Sequence, residues 1–157
     1  MSKREEVLEW VDELSMGDNS LDSHTKEFLR KANEFIDAKN VGNADERIDG
    51  FLDYLSEYAQ KHFVAQESLM ERIDYPSYTE HIDAHKAFVR SVAKLYKKRL
   101  LLRRNSSQVP SDEYDDRGID GVITDTADMV RDWYHSHLLG FDKTLYDYYK
   151  YEHEDED

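Results

Sequence analysis

Residues 48–72 read IDGFLDYLSEYAQKHFVAQESLMER, and residues 75–104 continue as YPSYTEHIDAHKAFVRSVAKLYKKRLLLRR. In the first stretch Ile48, Phe51, Leu52, Leu55, Tyr58, Ala59, His62, Phe63, Gln66 and Leu69 recur at three- and four-residue spacing, the period of one helix face. In the second, Ile82, His85, Phe88, Val89, Val92, Leu95, Tyr96 and Leu100 do the same. Tyr75-Pro76 separates them, because the residue before a proline is driven out of helical backbone. Asn43 with Glu46, and Ser77 with Glu80, have the spacing of capping boxes, which places the two helix starts there. The predicted helices therefore run from about 43 to 72 and from about 77 to 104.

A further helical pattern precedes this pair, from about Leu21 to Ala38 with Phe28, Leu29, Ala32, Phe35 and Ile36 on one face, and stops near Asn40-Val41-Gly42. Another follows from about Ile119 to Tyr149, carrying Val122, Ile123, Ala127, Met129, Val130, Trp133, His137, Phe141 and Leu145. Residues 1–19 read as an N-terminal arm with Trp10, residues 105–117 as one long polar loop, and residues 150–157 as a frayed acidic tail. Short connections between the first three helices make neighbours antiparallel. The expected architecture is all-α: a single domain over 1–157, folded as an up-down-up-down four-helix bundle. The basic end of the third helix, Lys97, Lys98, Arg99, Arg103 and Arg104, complements the helix dipole and is expected to be solvated.

Composition agrees. In 157 residues there are six glycines and two prolines, too few turn residues for a sandwich or barrel. Although 36% of residues are charged, 12% are aromatic, which supplies enough buriable surface for a core. A net charge of −14 repels phosphate backbones and anionic membranes, so neither nucleic acid nor membrane is an expected partner. The segment MSKREEVLEW lacks the apolar stretch of a signal peptide and no run is long enough to span a bilayer, so the expected location is the cytoplasm. Zero cysteines leave histidine, carboxylate and amide as the only metal ligands.

Five of the seven histidines, at 24, 62, 81, 85 and 137, fall on or beside the apolar stripes of four different helices. Burying several imidazoles leaves many donors and acceptors to satisfy, and a metal does so at once. His81 and His85 are four apart and share a helix face, and His62 and Gln66 repeat that spacing. His137 and Asp142 are five apart, which on an ordinary helix sets them about 140° apart. A π-like bulge near Gly140 would bring them together. Imidazoles with one carboxylate suit iron, zinc, copper or nickel. Five histidines suit two metals, one facing His81, His85 and His137, the other facing His24 and His62, with Asp142 between. His135 lies on another face and reads as a surface residue, and the C-terminal tyrosines 146, 148, 149 and 151 as packing and surface aromatics.

These residues resemble the hemerythrin family. Its pattern HFxxEExxM, then YPxxxxHxxxHxxF, is matched by His62-Phe63 through Met70, then Tyr75-Pro76 with His81, His85 and Phe88; its WxxxHxxxxD by Trp133, His137 and Asp142; and its N-terminal signature by Trp10, Gly17, Asp22 and His24. The resemblance covers about residues 10–149. It implies two non-haem iron ions with an oxo or hydroxo bridge, held by His24, His62, Gln66, His81, His85, His137 and Asp142. It also implies a pocket for O2, or another small diatomic or anionic ligand, lined by Tyr134 and Leu138. The implied function is reversible O2 binding for storage, delivery or sensing in a monomer or weak homo-oligomer; the alternative is a di-iron enzyme acting as peroxidase, oxidase or nitric-oxide reductase. Four departures stand out. Asp22-Ser23-His24 is one residue shorter than the family spacing. Gln66 replaces the bridging glutamate, with Glu67, about 100° away on the helix, as the nearest carboxylate that could serve an iron instead. Tyr134 replaces a pocket leucine, where it either donates to a bound ligand or caps the pocket. The 105–117 loop is longer than is typical.

Overall fold

Helix α1 spans Asn19–Asn40 and ends where Gly42 takes a positive φ of 84°, a conformation that favours glycine. Helix α2 has three parts, α-helical Ile48–Tyr58, a π segment Ala59–Phe63 and α-helical Val64–Arg72. Helix α3 spans Tyr78–Leu101. Helix α4 is also composite: Ile119–Asp132, a π segment Trp133–Asp142, and Lys143–Glu154. The computed structural model describes residues 7–17, 19–104, 109–112 and 115–154. Among them there is no strand, and no helix is long and apolar enough to cross a membrane.

Each long helix packs on two others: α1 on α2 and α4, and α3 on α2 and α4. The predicted stripes face inward except at Val89, Leu100 and Phe141, which are exposed, and Phe28, Ala32, Ile48, Leu52, Leu55 and Ala127 are wholly excluded from solvent. Truncating such a side chain as Leu55 to alanine typically costs about 2–5 kcal/mol. Two apolar clusters result, a larger one built on Phe28, Leu55, Phe88 and Val130 and a smaller one on Leu21, Leu69, Tyr75 and Leu145. Along every helix the candidate ligands fall between these clusters, so the polar residues form one layer across the molecule.

Both expected capping boxes are absent. Asn43 and Ser77 make no side-chain cap hydrogen bond, because ψ is 21° at Asn43 and 29° at Ser77, outside the extended region an N-cap requires. At Asn43 a 3-10 turn, Ala44–Glu46, intervenes, and the Glu46 N–H donates to the Asn43 carbonyl instead. The fourth helix also outlasts its predicted end, reaching Glu154, as Tyr148 and Tyr149 pack against the smaller cluster and Tyr148 meets Tyr75 edge-on. Of the expected tail, 155–157 lie outside the described residues, as do 1–6 and 18 of the arm and 105–108, 113 and 114 of the loop. The basic end of α3 is not simply solvated: Lys98 pairs with Asp115 and Asp125, and Arg99 and Arg103 both pair with Asp49 on α2.

The stretch before α1 is pinned to the helices. Leu8, Leu14 and Met16 are buried, Leu8 exchanges two hydrogen bonds with the Asn33 side chain, and Asp22 accepts from Ser15 Oγ and the Met16 N–H.

Candidate metal centre

The π segment Trp133–Asp142 carries both His137 and Asp142. Its i→i+5 hydrogen bonding aligns residues five apart, so the two side chains meet, with His137 Nε2 3.0 Å from Asp142 Oδ1. The expected bulge is present and extends over ten residues. A second π segment, unforeseen, carries His62. From α3, His81 and His85 enter the same layer, and the ligand atoms of His81, His85 and His137 lie within 4.8 Å of one another.

Gln66 occupies the middle. Its Oε1 is 2.9 Å from both His81 Nε2 and His85 Nε2, and its Nε2 donates to Asp142 Oδ1 at 3.0 Å and to Tyr146 Oη at 2.8 Å. On the other side, Gln66 Nε2 lies 3.5 Å from His62 Nε2, and His62 Nδ1 lies 3.3 Å from His24 Nδ1. His62, Gln66, His81, His85, His137 and Asp142 are all at most 2% exposed, whereas His24 is half-buried. His135 is exposed.

Burial holds His62, His85 and His137 neutral. It lowers His62 to about 4 and His85 to about 2, the latter helped by the neighbouring His81 and His137, and it lowers His137 against the pull of Asp142. Burial alone would raise Asp142, but the surrounding imidazoles, His137 foremost, outweigh it and hold the carboxyl well below its usual range. A folded-state histidine below its unfolded value near 6.5 resists protonation only while folded, so its stabilising contribution is complete above 6.5 and is lost as pH falls. The metal-free protein is therefore expected to lose stability progressively between about pH 6.5 and 4, measurable as a falling melting temperature; a flat profile there would contradict neutral burial of His62 and His85.

Does this donor set fit a metal? Glu67 Oε2 lies 2.9 Å from His85 Nδ1. An ionised Glu67 requires a proton on Nδ1, which leaves the His85 Nε2 lone pair facing the Gln66 carbonyl oxygen, acceptor against acceptor. A cation between them resolves that conflict. His81 Nδ1, His137 Nδ1 and Asp142 Oδ2 are also buried without hydrogen-bond partners. Neutral imidazoles, one carboxylate and one amide oxygen thus converge on a centre that wants positive charge.

Three expectations change. Glu67 stands outside the centre, against the far nitrogen of His85, where it orients that ring in place of serving a metal. Tyr134 turns away from the layer: its hydroxyl donates to the Glu9 carbonyl at 2.6 Å, drawn there by the packed N-terminal segment. Leu138 is fully buried in the larger apolar cluster. Among the described residues, neither lines the cavity between α3 and α4 beside His137 or the cavity between α1 and α2 beside His24 and His62. Tyr134→Phe is accordingly expected to cost about 1 kcal/mol of stability and to leave ligand binding unaltered; weakened ligand binding would return Tyr134 to the pocket. Tyr146, read as packing from the sequence, is a contact of Gln66, and its place four residues after Asp142 was the available signal.

No protein-family model matches the chain. It is similar to a bacteriohemerythrin of Stenotrophomonas maltophilia, 24% identical over 144 residues that cover 92% of this chain and 82% of that protein. A bacteriohemerythrin of Clostridium acetobutylicum is 26% identical over 141 residues, 88% of this chain and 98% of that one. One from Pseudomonas aeruginosa is 30% identical over 87 residues, 55% and 56% of the two chains. These relatives, together with the histidine layer and the spacing from His62 to Asp142, support a hemerythrin family for the chain.

Proposed function

We propose that this protein is a single-domain, up-down-up-down bundle that holds two non-haem iron ions and binds O2 reversibly. The observation that carries the reading is the convergence of His81, His85, His137, Asp142 and Gln66 Oε1 within one buried layer, with several of their acceptor atoms unpartnered. His81, His85 and His137 would hold one iron, His24 and His62 the other, with Asp142 and Gln66 between them. When bound, the iron pair supplies electrons and an open coordination position for a small diatomic ligand. The chain's own residues do the rest. Glu67 orients His85, while Trp133, stacked on His137 at 3.7 Å between ring centres, and Phe141, also stacked on it, fix the orientation of that ring. Histidines outnumber carboxylates in the layer, whereas oxygen-activating bundle enzymes use carboxylate-rich sites. That balance supports binding over turnover.

Elemental analysis of the purified protein is expected to give two irons per chain. The diferrous form should develop a visible charge-transfer absorption under O2 that disappears under vacuum. Stripping the metal should lower the melting temperature by roughly 10 °C, since ligands from four helices bind only the folded chain and a ligand at 1,000 times its Kd adds about 4 kcal/mol. Zinc without iron after iron-replete growth, or an unchanged melting curve, overturns the di-iron reading. Catalytic consumption of a reductant with O2 and no reversible absorption overturns reversible binding in favour of an enzyme.

A further inference from the structure

We infer that the cleft between α3 and α4 is the route by which divalent metal reaches the histidine layer, with Asp128 and Asp132 as its capturing groups. This rests on the metal-centre reading above. The cleft encloses about 500 Å³ and ends at His137. His137 is 2% exposed, its Nδ1 has no hydrogen-bond partner and its Nε2 meets only the Asp142 carboxylate, so a buried donor for a cation with an unsatisfied nitrogen stands at the inner end.

The outer part is built differently. Asp125, Asp128, Asp132 and Ser136 follow one another on α4 at spacings of three and four and all line the cleft. Across from them α3 presents the small side chains Ala84, Ala87 and Ser91 beside the single large one, Phe88. The carboxylates are not equally engaged. Asp125, farthest from His137, is held by Lys98 and Arg117. Asp128 is 54% exposed and touches only Arg131 among the described residues. Asp132, the last carboxylate before His137, is exposed and has no ion-pair partner among the described residues. Negative charge is thus least compensated next to the buried imidazole. Such a gradient raises the local concentration of a cation and does nothing for an uncharged gas. A second cavity that reaches the layer, beside His24 and His62, carries both signs, with Lys31 and Lys61 among Glu27, Asp53 and Glu57, and so offers no comparable pull.

The test follows metal uptake by stripped protein under anaerobic conditions, using cobalt(II) with its visible absorption and iron(II) by elemental analysis after quenching. An Asp128→Asn/Asp132→Asn double variant should load about tenfold more slowly at low ionic strength, with the gap narrowing as salt is added and the final metal content equal to wild type. Ala87→Phe, which narrows the cleft without changing charge, should also slow loading, and at every salt concentration. Asp53→Asn/Glu57→Gln, at the other cavity, should load at the wild-type rate. Equal rates for wild type, the double aspartate variant and Ala87→Phe overturn the route while leaving the metal centre in place. Slower loading of the Asp53/Glu57 variant alone moves the route to the other cavity. Failure of the wild-type protein to take up either ion overturns the metal-centre reading itself.

Discussion

His81→Ala, His85→Ala and His137→Ala are each expected to strip the protein of most of its metal, whereas His135→Ala leaves it in place. The three nitrogens lie within 4.8 Å of one another and their side chains are at most 2% exposed, so no solvent-borne group can replace a missing imidazole cheaply. Losing even a hydrogen-bonding partner of a ligating histidine typically costs about 10–100-fold in affinity, and losing the ligand itself should cost more. His135 is only two residues from His137 but is exposed, with its ring edge-on to Tyr134 at 5.0 Å between centres. Metal content per folded chain, with helicity checked by circular dichroism, decides the matter. Equal loss from His135→Ala and His137→Ala would mean that the register of the π segment is wrong; retention of metal in all three alanine variants would dissolve the site.

The same comparison marks what local sequence could and could not express. The ligands on α2 and α3 were legible because His62, Gln66, His81 and His85 follow the helix period that also buries Leu55 and Phe88. His137 and Asp142 were legible through a conflict: five-residue spacing fails on an α-helix, and only a π segment reconciles it. No such conflict exists around Ala59–Phe63, so the π segment that carries His62 left no trace in the residues. Tyr134 departs from its expected place, and the role of Glu67 stays open in the sequence, for a related reason. Which way a tyrosine turns is decided by what lies beside it, here the Glu9 carbonyl 125 positions away, and the role of Glu67 depends on which nitrogen of His85 it meets. The capping boxes failed at the backbone, since the side chains were suitable and the ψ angles were not.

Gln66→Glu is expected to reverse the sign of its effect according to whether metal is bound. Without metal, the amide is the hydrogen-bond hub of the layer: it accepts from the His81 side through Oε1 and donates to Asp142 and Tyr146 through Nε2. A carboxylate there keeps the acceptor and loses the donor. Its second oxygen would sit where the amide nitrogen now lies, 3.0 Å from Asp142 Oδ1 in a site with no exposure at residue 66. Two carboxylates at that distance cannot both ionise, so one must take a proton or the layer must open. An unsatisfied buried acceptor costs about 1–3 kcal/mol, and the stripped variant should melt roughly 5 °C below stripped wild type. With metal bound, the added negative charge faces two cations and stabilises them, the more so when they are oxidised. The loaded variant should then have a lower reduction potential and bind O2 more tightly than wild type, and its melting temperature should rise more on loading. Calorimetry with and without metal, a redox titration and an O2 equilibrium measure the three quantities on the same pair of proteins. If the stripped variant melts with wild type and its potential is no lower once loaded, then residue 66 does not stand between Asp142 and the two histidines of α3, and the charge at the centre is set elsewhere, with Glu67 behind His85 as the nearest carboxylate.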